Sequence, residues 1–333
     1  MSAGRRGFLK SLAAGTAAAA CGAAATAQAR ARRTMPPEAV GLLYDGTLCI
    51  GCRACLSACK AANGMPIETT GMNGEPMWDS PLDISGKTLN VIKVYRDGTG
   101  ETRNAERNGH AFTQVSCMHC TDASCVSACP VSAMTKDPAT GIVSYNKDAC
   151  IGCRYCVAAC PFGVPRFTYD SPFPQISKCQ LCKHRMAEGK YAACAEVCPT
   201  GATLYGPVAE LKKEIARRKA LAPGSETVFP RGRIGGGDSY TGTVAKYVEH
   251  VYGEKEIGGT QVLHLSAVPF DKLNKPELPE EAPAAASETL QGTLFHGMIA
   301  PVAFLAGLVY VAKRNVKDDP EGGAVSDSAP GQR

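Results

Sequence analysis

Alternation and apolar runs divide the chain into short pieces. Thr88 to Tyr95 and Ala111 to Ser116 alternate apolar and polar residues and predict strands, and so do Ile142 to Tyr145 and Thr200 to Tyr205. Asp137-Pro138-Ala139-Thr140-Gly141 is a turn leading into the third of these. Pro207 to Ala220 carries apolar positions at helical spacing and predicts an amphipathic helix, with Gly253 to Gln261 expected as a loop. Lys212 to Lys219 is rich in basic residues and is expected to be that helix's solvated face. Lys275 to Ser287, rich in Pro, Glu and Ala, predicts an extended linker.

Two apolar runs stand apart. Ser11 to Ala27 is free of charge, follows Arg5-Arg6-Gly7-Phe8-Leu9-Lys10, and leads into Ala27-Gln28-Ala29. Basic start, apolar stretch and small-residue site are the order of an export signal, so residues 1-29 are expected to be removed, and the arginine pair is similar to a twin-arginine address for folded cargo. Leu294 to Ala312, at about 1.5 Å per residue, would span about 28 Å as a helix, enough for a bilayer core. His296, Pro301 and two glycines weaken that run, and a buried core helix is the alternative. Lys313, Arg314 and Lys317 follow it and by the positive-inside rule place residues 313-333 in the cytoplasm and the rest on the periplasmic side.

Composition changes the picture at one residue type. Of 333 residues, 17 are cysteine, too few for a small disulfide scaffold and too many for an ordinary enzyme. The net charge of +5 owes three charges to Arg5, Arg6 and Lys10, so it carries no nucleic-acid inference. Cys21 lies in the leader, and the other sixteen form four groups of four. Cys49, Cys52, Cys55 and Cys59 have C-x2-C-x2-C-x3-C spacing, which Cys150, Cys153, Cys156 and Cys160 repeat down to the shared string Cys-Ile-Gly-Cys-Arg. In Cys117, Cys120, Cys125 and Cys129 one gap widens to four residues, and in the last group Cys179 and Cys182 are separated by eleven residues from Cys194 and Cys198. Proline follows the fourth cysteine in three groups; Lys60 stands there in the first.

Three cysteines at x2 spacing let a tight loop wrap one face of an iron–sulfur cubane, while a fourth, a helical turn on, reaches a second cluster, as in two-cluster ferredoxins. Four [4Fe-4S] clusters are the reading; zinc at one or more groups, for which only the Cys179/Cys182 knuckle has the look, and a disulfide framework are the alternatives. Folded export agrees with this, because a protein folded around its metal reaches an oxidising compartment with its thiolates occupied. There is no nickel site, Rossmann or P-loop fingerprint, or catalytic triad, so no catalytic residue is expected, and Gly235 to Gly237 reads as a loop. His119 is the best candidate to tune a cluster, an exposed loop histidine being equally consistent, and Arg154 and Tyr155 invite the same two readings.

From Leu42 to Arg314 the four cysteine groups resemble the four-cluster ferredoxin-type electron-transfer subunits of formate dehydrogenase, dimethyl sulfoxide reductase and related respiratory complexes, nearest in architecture to hydrogenase-linked members. The resemblance implies an α+β fold with two ferredoxin-like lobes of two clusters each, plus a single C-terminal transmembrane helix. It implies that Cys49, Cys52, Cys55 and Cys198 hold one cluster and Cys59, Cys179, Cys182 and Cys194 its neighbour, in one lobe. In the other lobe, Cys117, Cys120, Cys125 and Cys160 would hold one cluster and Cys129, Cys150, Cys153 and Cys156 the last. The expected layout is a four-cluster body at 30-205, an extension and linker at 206-293 and an anchor at 294-312. The implied partners are the small and large subunits of a periplasmic nickel-iron hydrogenase, an integral membrane subunit that reacts with quinone, and the lipid bilayer. A formate dehydrogenase or molybdopterin reductase complex is the alternative setting.

Overall fold

The computed structural model describes residues 30–67, 81–170 and 172–315, so the export signal and most of the tail lie outside the described residues. Residues Ala31–Ala285 make one compact unit, and Ala286 onward belongs to a second.

The first unit is organised by a small sheet. Strand Val40–Asp45 lies at its centre, parallel to Val262–Leu265 on one side and antiparallel to Thr203–Pro207 on the other. Its alternation sorts two cores, as the two-residue period of a strand requires. Leu43, Leu204, Leu263 and Leu265 pack with Val208, Leu211 and Ile215 of helix Val208–Ala220. Leu42, Tyr44 and Val262 belong instead to the larger core that contains the cysteine loops. Gly41 sits where the parallel pair closes most tightly: a Cβ there would lie 1.9 Å from the carbonyl oxygen of Gln261. Gly41→Ala is therefore expected to cost at least about 1–3 kcal/mol, the range for overpacking, read as a lowered melting temperature of the loaded protein. An unchanged melting point would mean the two backbones do not meet there.

Around the central sheet lie a three-stranded sheet of Val91–Arg96, Gly109–Val115 and Thr102–Arg103 and the hairpins Met134–Lys136/Val143–Tyr145 and Arg166–Phe167/Ile176–Ser177. The expected strands thus appear, with ends shifted by a few residues. Hairpin Glu226–Pro230/Ser239–Thr243 and strand Val262–Leu265 come from the region expected as extension, which is built into the same unit as the cysteine loops. The expected loop at Gly253 to Gln261 contains one 3-10 turn, Glu256–Gly258.

Two expectations change. Lys212 to Lys219 is not wholly a solvated face: Arg218 is fully buried, its Nη1 2.8 Å from Asp45 Oδ2 and its Nε 2.8 Å from Glu214 Oε1. Asp45 also accepts from Tyr247 Oη at 2.8 Å, Thr47 Oγ1 at 2.6 Å and the Thr47 N–H at 3.0 Å. This buried carboxylate joins the central strand to the loop entering Cys49. The stretch Lys275 to Ser287 is likewise no free linker. Lys275 donates to the Gln114 carbonyl at 2.6 Å, Ala282, Ala284 and Ala285 are buried, and helix Pro283–Asn315 has already begun.

That helix is 33 residues long, longer than the apolar run predicted, with Pro301 inside it. From Pro283 to Lys313 it is long and apolar enough to cross a membrane. Leu294, Phe295, Ile299, Val302, Val309 and Tyr310 are all exposed along it.

Candidate iron–sulfur centres

Each cysteine group opens on a knuckle with one shared backbone device. The residue before the second cysteine is left-handed in all four: Gly51 at φ +70°, His119 at +49°, Gly152 at +71° and Leu181 at +49°. The turn aims N–H groups back at sulfur, so that the Gly51 N–H lies 3.4 Å from Cys49 Sγ and the Leu181 N–H 3.4 Å from Cys179 Sγ. At Gly51 there is a second demand for glycine: a Cβ would lie 2.4 Å from the Phe112 ring. Further N–H groups reach sulfur from Met134 to Cys129 at 3.4 Å and from Thr203 to Cys198 at 3.5 Å.

A short helix lies within each group. Ser124–Ser127, Tyr155–Ala159 and Ala193–Glu196 stop before Cys129-Pro130, Cys160-Pro161 and Cys198-Pro199, as proline's missing N–H dictates. Ala54–Ala62 instead runs through Cys59 and ends at Asn63, because Lys60 can continue the helix.

The sixteen cysteines are unpaired with one another. Three cavities gather twelve of them across the sequence groups. Cys49, Cys52, Cys55 and Cys198 line one, Cys59, Cys179, Cys182 and Cys194 another, and Cys129, Cys150, Cys153 and Cys156 the third. The remaining four meet around Cys120, whose thiol is pushed well up by burial and then by the nearby Cys117, Cys125 and Cys160. Neighbouring sets come within electrostatic reach in one order: Cys55 senses Cys194, Cys179 senses Cys117, and Cys125 senses Cys156. The sets at the two ends each hold an exposed cysteine, Cys52 and Cys153.

These sulfurs do not suit a single ion. Among the described residues no three His, Cys, Asp or Glu side chains converge closely enough to hold one metal. Zinc would need its sulfurs about 2.3 Å from a common point. Four thiols set around one cavity, too far apart to share a single ion, fit a cubane, in which each sulfur meets its own iron. Burial also pushes the Cys49 thiol up to about 11 and those of Cys125 and Cys179 up to about 12. Such thiols keep their protons at neutral pH, so only binding of a soft, highly charged metal centre converts them to ligands.

His119 is not an exposed loop residue. It is fully buried, its Nδ1 accepts the Val143 N–H at 3.0 Å, and burial, with Lys178 and Lys136 nearby, holds its pKa well below the usual histidine range. The ring is therefore neutral with its hydrogen on Nε2, an atom with no protein acceptor. Tyr155 is exposed, and Arg154 stacks 5.0 Å above the Tyr169 ring. Sequence reasoning missed the buried lysines at 60 and 178 and the half-buried Lys136; their position next to, or one strand from, the cysteines is the signal that pointed to them.

The 4Fe-4S dicluster domain family matches residues 109–207. Hydrogenase-2 operon protein HybA of Escherichia coli O157:H7 is 45% identical over 330 residues, covering 96% of this chain and 98% of the relative. The nitrate-inducible formate dehydrogenase iron-sulfur subunit of Escherichia coli (strain K12) is 30% identical over 295 residues, 85% of this chain and 89% of its own. The formate dehydrogenase iron-sulfur subunit of Haemophilus influenzae is 30% identical over 269 residues, 80% and 76% of the two chains. Identity along almost the entire polypeptide, together with four thiol sets shaped for cubanes, makes this chain a member of the HybA family and a carrier of [4Fe-4S] clusters.

Proposed function

We propose that the chain is the electron-transfer subunit linking a periplasmic nickel-iron hydrogenase to a quinone-reactive membrane subunit, and is not itself catalytic. The observation that carries this reading is the order of the thiol sets, each within reach of the next, with Cys52 and Cys153 exposed at opposite ends of the series. Identity to a hydrogenase-2 operon protein over nearly the full length favours a hydrogenase as the donor.

In residue terms, Cys49, Cys52, Cys55 and Cys198 would hold the first cluster and Cys59, Cys179, Cys182 and Cys194 the second, as one ferredoxin-like lobe. Cys117, Cys120, Cys125 and Cys160 would hold the third, and Cys129, Cys150, Cys153 and Cys156 the fourth, as the other lobe. Each bound cluster supplies a one-electron site whose potential follows its charge surroundings, burial and N–H···S contacts. The protein's part is to fix the thiolates, aim the amides of Gly51, Leu181, Met134 and Thr203 at sulfur, and keep water from the inner two sets. Burial of Cys59, Cys182, Cys194, Cys117, Cys120 and Cys125 supports that last role.

The reading extends to location. Arg5-Arg6 and the apolar leader would direct folded export, and helix Pro283–Asn315 would anchor the protein in the inner membrane, its basic end at Lys313 and Arg314 facing the cytoplasm. The test is anaerobic purification from membranes, with iron and acid-labile sulfide measured and the co-purifying subunits identified. About four irons per thiol set and a hydrogenase large subunit are expected. A molybdopterin enzyme in its place would move the protein to the formate dehydrogenase-like setting, and an iron-free native preparation would end the relay reading.

A further inference from the structure

Lys178 is buried, with 1% of its surface exposed. Its Nζ donates to the carbonyl oxygens of Val143 and, at 2.9 Å, Cys179, which leaves one of its three N–H bonds without a protein acceptor. Among the described residues no carboxylate stands within ion-pair distance of it. An ammonium so enclosed is costly unless an anion compensates it. The groups around it that can supply negative charge are cysteines: Cys125 and Cys160 of one set and Cys179 of another, all of whose proton affinities it lowers against the opposing effect of burial. Lys136 differs in reach. Its Nζ donates to the Cys120 carbonyl at 3.0 Å, the Gly141 carbonyl at 2.7 Å and Gln261 Oε1 at 3.2 Å, and the thiols beside it, Cys120 and Cys117, belong to one set.

We propose that Lys178 is a positioning residue shared by the two inner clusters, those of Cys59/Cys179/Cys182/Cys194 and Cys117/Cys120/Cys125/Cys160, and that its buried charge raises the reduction potentials of both. The inference rests on the relay reading above. A bound inner cluster that accepted one electron from its neighbour would gain one negative charge. A cation enclosed beside both sets would favour the reduced form of either cluster and of both together. The outer sets, with Cys52 and Cys153 at the surface, would be the steps in and out.

The experiment is a potentiometric titration, followed by electron paramagnetic resonance, of the full chain loaded anaerobically, with iron counted in each preparation. Lys178→Gln keeps two N–H donors for the two carbonyls and removes the charge. Two of the four reduction steps should fall by about 59 mV or more, a tenfold change in reduced-to-oxidised ratio at fixed potential. The other two should move less than half as far, and Lys178→Arg should restore most of the shift. Lys136→Gln should lower one step alone. Four unmoved potentials at full iron content, or four that move equally, would overturn the proposal. If Lys178→Gln cannot hold iron while Lys178→Arg can, the charge is needed for the anionic centres to bind, as the proposal requires; if neither can, the side chain serves packing and the proposal falls. Absence of iron from the unaltered chain would sink the relay reading instead.

Discussion

Arg218→Leu is expected to destabilise the protein by about 3–5 kcal/mol, the range for breaking a buried ion pair by removing one partner. The guanidinium and Asp45 are both fully buried, so the variant strands the Asp45 carboxylate in the core with no cation and leaves Glu214, nearly buried, to Arg217 alone. Leucine also gives up the packing of the guanidinium on Phe229, 5.0 Å from the ring centroid. The damage should travel to the first thiol set, because Asp45 holds Thr47 through its Oδ1 and the chain reaches Cys49 two residues later. Arg103 would not replace that anchor, since its Nη2 grips the carbonyls of Thr47 and Cys49 rather than Asp45. For a unit of this size the loss corresponds to a melting temperature lower by roughly 10 °C, with iron released first from the set containing Cys49. A fall of less than about 2 °C would show that Asp45 finds another partner. The pH dependence has a defined sign. Burial pushes Glu214 up, but hydrogen bonds from Arg217 and Arg218 outweigh it and hold its pKa below the ordinary value. Its contribution is therefore fully present above the unfolded value of about 4.3, and it is lost as pH falls through the lower folded one.

What the sequence could show follows from the range of each interaction. A C-x2-C knuckle is local, so the four loops were visible in spacing alone, and the left-handed residues at 51, 119, 152 and 181 occupy the same place in each. Helix Val208–Ala220 was visible for the same reason: its apolar positions repeat within its own length. Strand Val262–Leu265 was not visible as the partner of Val40–Asp45, since a parallel pair more than 200 residues apart leaves no mark in either segment. Charges misled where burial reversed their usual meaning. Arg218 reads as one more basic residue on a polar helix until Asp45 arrives from the far end of the fold, and Lys178 reads as a surface lysine until two carbonyls and three thiols surround it. The segment from Lys275 has linker composition, yet it packs because Lys275 and the alanines before Ala286 find partners in the body. Composition reports what a segment could do alone, not what meets it.

Cys160→Ser separates sequence neighbourhood from spatial neighbourhood most sharply. Along the chain Cys160 belongs with Cys150, Cys153 and Cys156, and a ligand set read by proximity in sequence would lose its cluster there. In space, burial pushes the Cys160 thiol up while N–H groups of Val164 and Phe162 pull it down, and the cysteine that acts on it is Cys117. Cys156 answers to burial and to Cys150, Cys129 and Cys153. The crossing is a consequence of helix Tyr155–Ala159, which carries the fourth cysteine of the group away from the loop that the first three wrap. Serine offers a hard oxygen of high proton affinity where soft iron prefers thiolate. The variant should therefore lose or convert the cluster of Cys117, Cys120 and Cys125, with up to about four irons missing, and keep the resonance of the cluster at Cys150, Cys153 and Cys156. Cys129→Ser should do the reverse, sparing the first of these and damaging the second. Electron paramagnetic resonance of the two reduced variants, with iron counted in each, gives a reciprocal pair of spectra if the sets cross; if both variants lose the cluster of their own sequence group, the sulfurs serve locally and the proposed order of the relay fails with them.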